Sequence, residues 1–215
     1  MKIDAFIRIG IVWAVACAAL IALVIVEGRA RAAGTEVRFA MQAIDPRSLL
    51  SGHYVIVDLQ RNLPEGAACA EGADVSPTWN GAFTSHAGYG WIALREDPAG
   101  AVVAGVSQDR AAALANSPLT VRGLYNCQPP APAQTTTIDG QQTESPARAG
   151  WERLDLGITR FHINQADALA IEERLREQRG DEQAAVFAIV SLGPDGRARL
   201  MGLEVNAERL MLSWR

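Results

Sequence analysis

Lysine is almost missing from this chain: 20 of its 215 residues are basic, and the single lysine is Lys2. A lysine general base, a Schiff-base lysine and a P-loop lysine are therefore excluded from everything after the second residue. Aromatic residues make up 6% and charged residues 20%, with a formal net charge of −4. That balance excludes a basic nucleic-acid binder, and so does the lack of any basic run. Histidine and cysteine number three each. His53, His86 and His162 are scattered, without H-x-x-x-H or C-x-x-C spacing, so no metal ligand is assigned. There is no G-x-S-x-G elbow either, and Ser51-Gly52 stands in a turn ahead of a strand. No catalytic residue and no cofactor is expected.

What the chain does have is one long apolar run. Ile9 to Val26 carries no charge. As a helix it would span roughly 27 Å, close to the hydrocarbon thickness of a bilayer. Residues 9–26 are thus expected to sit in a lipid bilayer, with 1–32 forming an anchor and a short link. Two other readings compete. Ala30-Arg31-Ala32 resembles the small-x-small site of a cleaved signal peptide, although such peptides have shorter apolar regions. A core helix of a soluble domain would show a polar face, which this run lacks.

Basic residues flank the run on both sides (Lys2 and Arg8; Arg29, Arg31 and Arg38), so charge does not decide the orientation. Cys17 lies inside the run, leaving Cys69 and Cys127. An even pair in an exported domain is a disulfide candidate; the alternative is two unrelated buried thiols. Setting aside residues 1–26, which hold Lys2, Arg8 and Asp4, leaves 18 basic and 23 acidic residues. On average such a surface is ill suited to anionic lipid or nucleic acid.

Residues 36–210 are expected to form one β-rich domain. Val37, Phe39 and Met41 alternate with polar residues over 36–43, and Tyr54 to Leu59 is rich in β-branched side chains. Asp97-Pro98-Ala99-Gly100 has turn chemistry between Trp91–Glu96 and Ala101–Ser107, and Gly193-Pro194-Asp195-Gly196 between Ala184–Leu192 and Ala198–Val205. Leu119–Tyr125 and the alternating segment Trp151–Ile163 add strands. Segments 62–90 and 128–149 read as long loops. One amphipathic helix is expected over Gln165–Arg179, capped by Asn164, with Ala168, Ile171 and Leu175 on one face. The fold class is therefore α+β and β-rich, with one antiparallel sheet or a small barrel. Trp79, Phe83, Tyr89 and Trp91 are read as core in preference to a partner-facing patch.

The string Asp45 to Val55 (DPRSLLSGHYV) resembles the signature of the GDYXXLXY family of bacterial proteins, where DPR-x-L-hydrophobic-x-G-D-Y leads into a strand. Leu156 to His162 (LGITRFH), followed by an acidic stretch with Glu172 and Glu173, resembles a second family segment. The positions that match are Asp45, Pro46, Arg47, Gly52, Tyr54, Gly157 and Phe161. His53 stands where the family has its aspartate, so a catalytic role for that carboxylate does not carry over. The resemblance implies an N-terminal membrane helix and a folded domain on the periplasmic side of a bacterial inner membrane. It implies no activity. The expected role is a non-catalytic interaction or scaffold beside a multi-pass membrane protein or envelope component. The alternatives are an envelope hydrolase or metal-dependent enzyme using His53 or His162, and a cleaved periplasmic binding protein.

Overall fold

A computed structural model describes residues 5–41, 54–70, 72, 76–79, 84–138, 141–145, 147–158, 160–162 and 186–211. The apolar run is helical, as its composition requires. The helix α1 (Ala5–Ala33) continues well beyond Val26, so that its 29 residues span about 43 Å. Its stretch Phe6–Ala33 is long and apolar enough to cross a membrane, and none of its most apolar window is buried in the protein. A second helix, α2 (Arg110–Asn116), starts at Asp109, whose carboxylate accepts from the backbone N–H groups of Ala111 and Ala112.

The strands follow in chain order as β1 (Thr35–Ala40), β2 (Tyr54–Ile56), β3 (Leu59–Leu63), β4 (Ser76–Trp79), β5 (Thr84–Arg95), β6 (Val102–Ser107) and β7 (Leu119–Gln128). They continue as β8 (Gln134–Ile138), β9 (Gln141–Ser145), β10 (Gly150–Asp155), β11 (Arg160–His162), β12 (Val186–Leu192), β13 (Ala198–Val205) and β14 (Glu208–Met211). The class is strand-rich α+β. The strands divide between a four-stranded sheet ordered β1-β12-β13-β14 and a six-stranded sheet ordered β3-β10-β7-β5-β4, with β6 also on β5. Two ribbons, β2-β11 and β8-β9, complete the described pairings, all of them antiparallel. The expectation of one sheet or a small barrel thus gives way to two packed sheets, without barrel closure among the described residues.

One hydrophobic core lies between them. It combines Val37 and Phe39 of β1, Val190 and Leu192 of β12 and Leu203 of β13 with Ile92 and Leu94 of β5, Val121 and Tyr125 of β7 and Leu154 of β10. The alternation in β1 works as read, with Val37, Phe39 and Met41 all buried. Main-chain hydrogen bonds also stitch one sheet to the other, from Ala101 N–H to the Arg38 carbonyl (2.7 Å) and from Arg122 N–H to the Gly196 carbonyl (2.8 Å).

Several segments differ from their reading. Tyr54–Leu59 is not one strand: β2 pairs with β11 while β3 pairs with β10, so the chain changes partner at Val57-Asp58. The segments read as loops carry β4, the first half of β5, and the hairpin β8-β9. The β8-β9 signal was present in threonine-rich sequence around Asp139-Gly140, a dipeptide favoured in two-residue hairpins. The helix expected over Gln165–Arg179, with its cap Asn164, lies outside the described residues.

Cys69 and Cys127 form a disulfide, with Cα atoms 5.8 Å apart and a sequence separation of 58. The bridge pins the segment after β3 to the end of β7. Replacing both cysteines with serine should cost about 4 kcal/mol on a loop-entropy estimate. A clear fall in the urea unfolding midpoint would register it, and an unchanged midpoint would contradict it. The turn between β13 and β14 offers a second check. Asn206 and Ala207 both have positive φ (49° and 67°), a conformation that asparagine adopts at little cost and alanine only under strain. Ala207→Gly should therefore raise stability by about 1 kcal/mol, readable as a higher melting temperature.

Candidate functional site

The family segments come together as a ribbon. Strand β11 pairs with β2 in the register Arg160 to Ile56, Phe161 to Val55 and His162 to Tyr54. Two matching positions, Tyr54 and Phe161, therefore sit one register step apart on adjacent strands. Gly157 adopts φ +74° between β10 and β11, and its N–H is held by the Asp155 carboxylate at 3.0 Å. Asp45, Pro46, Arg47, Gly52 and His53 lie outside the described residues.

The other two histidines belong to different sets of paired strands. His86 is in β5, opposite Cys127 of β7, whereas His162 is in the β2-β11 ribbon. Among the described residues no group of three or more histidine, cysteine or carboxylate side chains is placed to hold a metal ion. An open groove of about 420 Å³ is lined by Glu36, Val37, Arg38, Glu96, Asp97, Pro98 and Ala101. Three of its four charged side chains serve the fold. Arg38 donates to Glu204 at 2.8 Å and stacks on Phe187, Arg209 pairs with Glu36, and Asp97 accepts from the Ala99 N–H.

Beneath β10 lies a buried polar cluster. Tyr125 is fully buried, and its hydroxyl accepts from the Ala70 N–H at 2.9 Å, next to the Cys69–Cys127 bridge. Burial pushes its phenol well above the ordinary tyrosine range, against the pull of the Ala70 hydrogen bond, so Tyr125 stays neutral. Glu152, also buried, pairs with Arg61 across the β3-β10 register. Asp58, between β2 and β3, is bound through both its oxygens by Arg153 of β10, at 2.7 Å on the Nε side. These side chains hold strands together and leave no group free for acid–base work among themselves.

The most specific arrangement lies where α1 meets the four-stranded sheet. Glu27 and Arg31 are four residues apart and so share one helix face. Ser191 and Arg199 are cross-strand partners on β12 and β13. The two pairs interlock: the Ser191 hydroxyl donates to the Arg31 carbonyl (2.7 Å), and Arg199 Nε donates to Glu27 (2.6 Å). The Arg199 guanidinium, only 6% exposed, also donates to both Asp195 oxygens (3.1 and 2.8 Å). It is thus shared between two half-exposed carboxylates. Gly34 completes the joint, because an added Cβ would collide with the Ser191 hydroxyl and the Leu192 carbonyl. No flexible linker separates α1 from the domain: one residue, Gly34, lies between Ala33 and the start of β1.

The turn bearing Asp195 is seated on aromatic rings. Gly196 has φ +76°, and a Cβ there would strike the Trp91 ring. Arg110 stacks on Trp91 (5.1 Å), and Arg122 stacks on Trp91 and Tyr89 (5.7 and 5.8 Å). The reading of the aromatic group as core is corrected for Tyr89, which is 54% exposed, while Trp91 is half-buried beneath the turn. Alternation along β5 explains this, since Ile92 and Leu94 take the core face. The side chains of Trp79 and Phe83 lie outside the description.

A helix able to cross a membrane, locked to a strand-rich α+β domain, defines the class of protein. The chain belongs to the GDYXXLXY family, whose model, described as GDYXXLXY protein, matches residues 16–203. No curated protein and no solved structure matches it.

The joint predicts an acid response. Hydrogen bonding from Arg199 holds the Asp195 carboxyl down, from 3.8 to about 2. A lowered pKa in the folded state adds stability that is complete above the unfolded value and is lost as pH falls through the folded one. The wild type should thus lose stability between about pH 4 and pH 2, and Asp195→Asn should flatten the melting-temperature profile over that window.

Proposed function

We propose that this protein is a single-pass protein of the bacterial inner membrane that keeps α1 as its anchor. It holds its strand-rich domain on the periplasmic side, and works by non-catalytic contact with a membrane or envelope partner. The observation that carries the reading is the joint. α1 runs without a break from the apolar stretch into hydrogen bonds with Ser191 and Arg199. A cleavable leader would be expected to release at Ala30-Arg31-Ala32, but those residues are helical and the Arg31 carbonyl is occupied. The folded domain thus makes use of Glu27 and Arg31, contacts that removal of a leader would delete. The Cys69–Cys127 bridge favours an oxidising compartment, hence the periplasm.

Anchoring also explains how a weak contact could suffice, since confinement to the same bilayer raises the effective concentration of domain and partner. The test is protease added to spheroplasts. The expected result is digestion of the domain from outside, with a fragment starting at Met1 left in the membrane pellet. Protection of the domain would place it in the cytoplasm, and a mature chain starting at Ala33 would make it a soluble periplasmic protein. Either outcome would end this reading.

A further inference from the structure

We propose that the Arg110–Trp91–Arg122–Tyr89 stack, with Arg197, forms a docking face for the lipid headgroups of the bilayer that α1 spans. This rests on the anchor reading above. Glu27 is the first residue after the apolar run, so in a spanning helix it lies at the edge of the hydrocarbon. Arg199 bridges Glu27 to Asp195, placing the Gly193–Gly196 turn at that same depth.

The stack is fixed to the turn. Arg110 donates to the Pro194 carbonyl and the Arg122 N–H to the Gly196 carbonyl, both at 2.8 Å. Three arginines and two amphipathic aromatics are therefore tied to the point where α1 leaves lipid. Tyrosine and tryptophan concentrate at membrane interfaces, and each arginine near an anionic surface adds about 1 kcal/mol of attraction. The Arg197 side chain is 76% exposed, and Tyr89 is 54% exposed on the same corner. At this corner Arg110, Arg122, Arg197 and Arg199 stand against Glu27, Asp109 and Asp195, a local excess of one positive charge, and screening limits the influence of acids farther than about 10 Å away.

The far end of the same sheet supplies the reference point. Arg122 and Gln128 are six positions apart on β7, about 20 Å, and exposed Ala133 lies beyond Gln128. The experiment uses the full chain in vesicles of phosphatidylethanolamine and phosphatidylglycerol, carrying one nitroxide at a time. The positions are native Cys17, Arg197→Cys and Ala133→Cys, the last two in a Cys17→Ala background. Relative accessibility to oxygen and to a water-soluble nickel chelate reads the depth of each.

The expected result is Cys17 deep in lipid, position 197 at headgroup depth with an oxygen-to-nickel ratio several-fold above that of 133, and 133 in water. Arg110→Glu combined with Arg122→Glu should then move position 197 toward the value at 133 and leave Cys17 unchanged. If Cys17 is deep while 197 matches 133, the docking face is wrong and the anchor stands. If Cys17 is itself in water, the anchor reading falls, and the docking face with it.

Discussion

Everything specific about this molecule depends on one buried guanidinium. Arg199 is a buried charge at the start of β13, far from Glu204 at the other end of that strand, and it is kept there by carboxylates from two directions, Glu27 on α1 and Asp195 on the adjoining turn. Removing a charge of this kind from water is costly unless it is paired, so the helix and the turn are held in place by the same need. Ser191, its cross-strand neighbour, fixes the helix a second time through a main-chain carbonyl. A carbonyl accepts whatever the side chain, so this contact fixes position along the helix, while the Glu27 pair fixes the face presented.

The rest of the domain repeats that economy. Two sheets share one core, and the polar contacts between them are directional: two main-chain hydrogen bonds, the Arg110 donation to the Pro194 carbonyl and the turn on Trp91, while the Cys69–Cys127 bridge fastens the six-stranded sheet to itself. Buried Glu152 and Arg61 neutralise one another across adjacent strands. Charges on the outer face of the four-stranded sheet are likewise consumed in the Glu36, Arg38, Glu204 and Arg209 set. Such an interior serves to hold a shape.

The anchor helix, the alternation of β1 and the two proline-containing hairpins were legible because each is a local pattern. Apolar runs, period-two alternation and Asp-Pro-x-Gly or Gly-Pro-Asp-Gly turns act over a few residues. The partition into two sheets was not legible, since Tyr54–Leu59 reads as one strand until its partners are known, and those lie about a hundred residues away in β10 and β11. The β8-β9 hairpin is hard to read because polar, threonine-rich sequence hides period two, although the sequence offers Asp139-Gly140, a dipeptide that favours hairpins. Helix α2 was missed beside a plain signal, the Asp109 cap ahead of an alanine run. Of the joint, only the oddity of Ser191 and Arg199 within apolar strands was visible. Which carboxylate Arg199 would meet depended on a helix whose end lay past the apolar stretch.

With one residue between α1 and β1, the helix serves as an axle for the domain. Each residue of an α-helix turns the chain by about 100° and advances it about 1.5 Å. The number of residues between Val26 and Gly34 therefore sets the compass bearing of both sheets around α1 as well as their height along it. A chain of the same composition one residue longer in that stretch would carry the same fold facing another way.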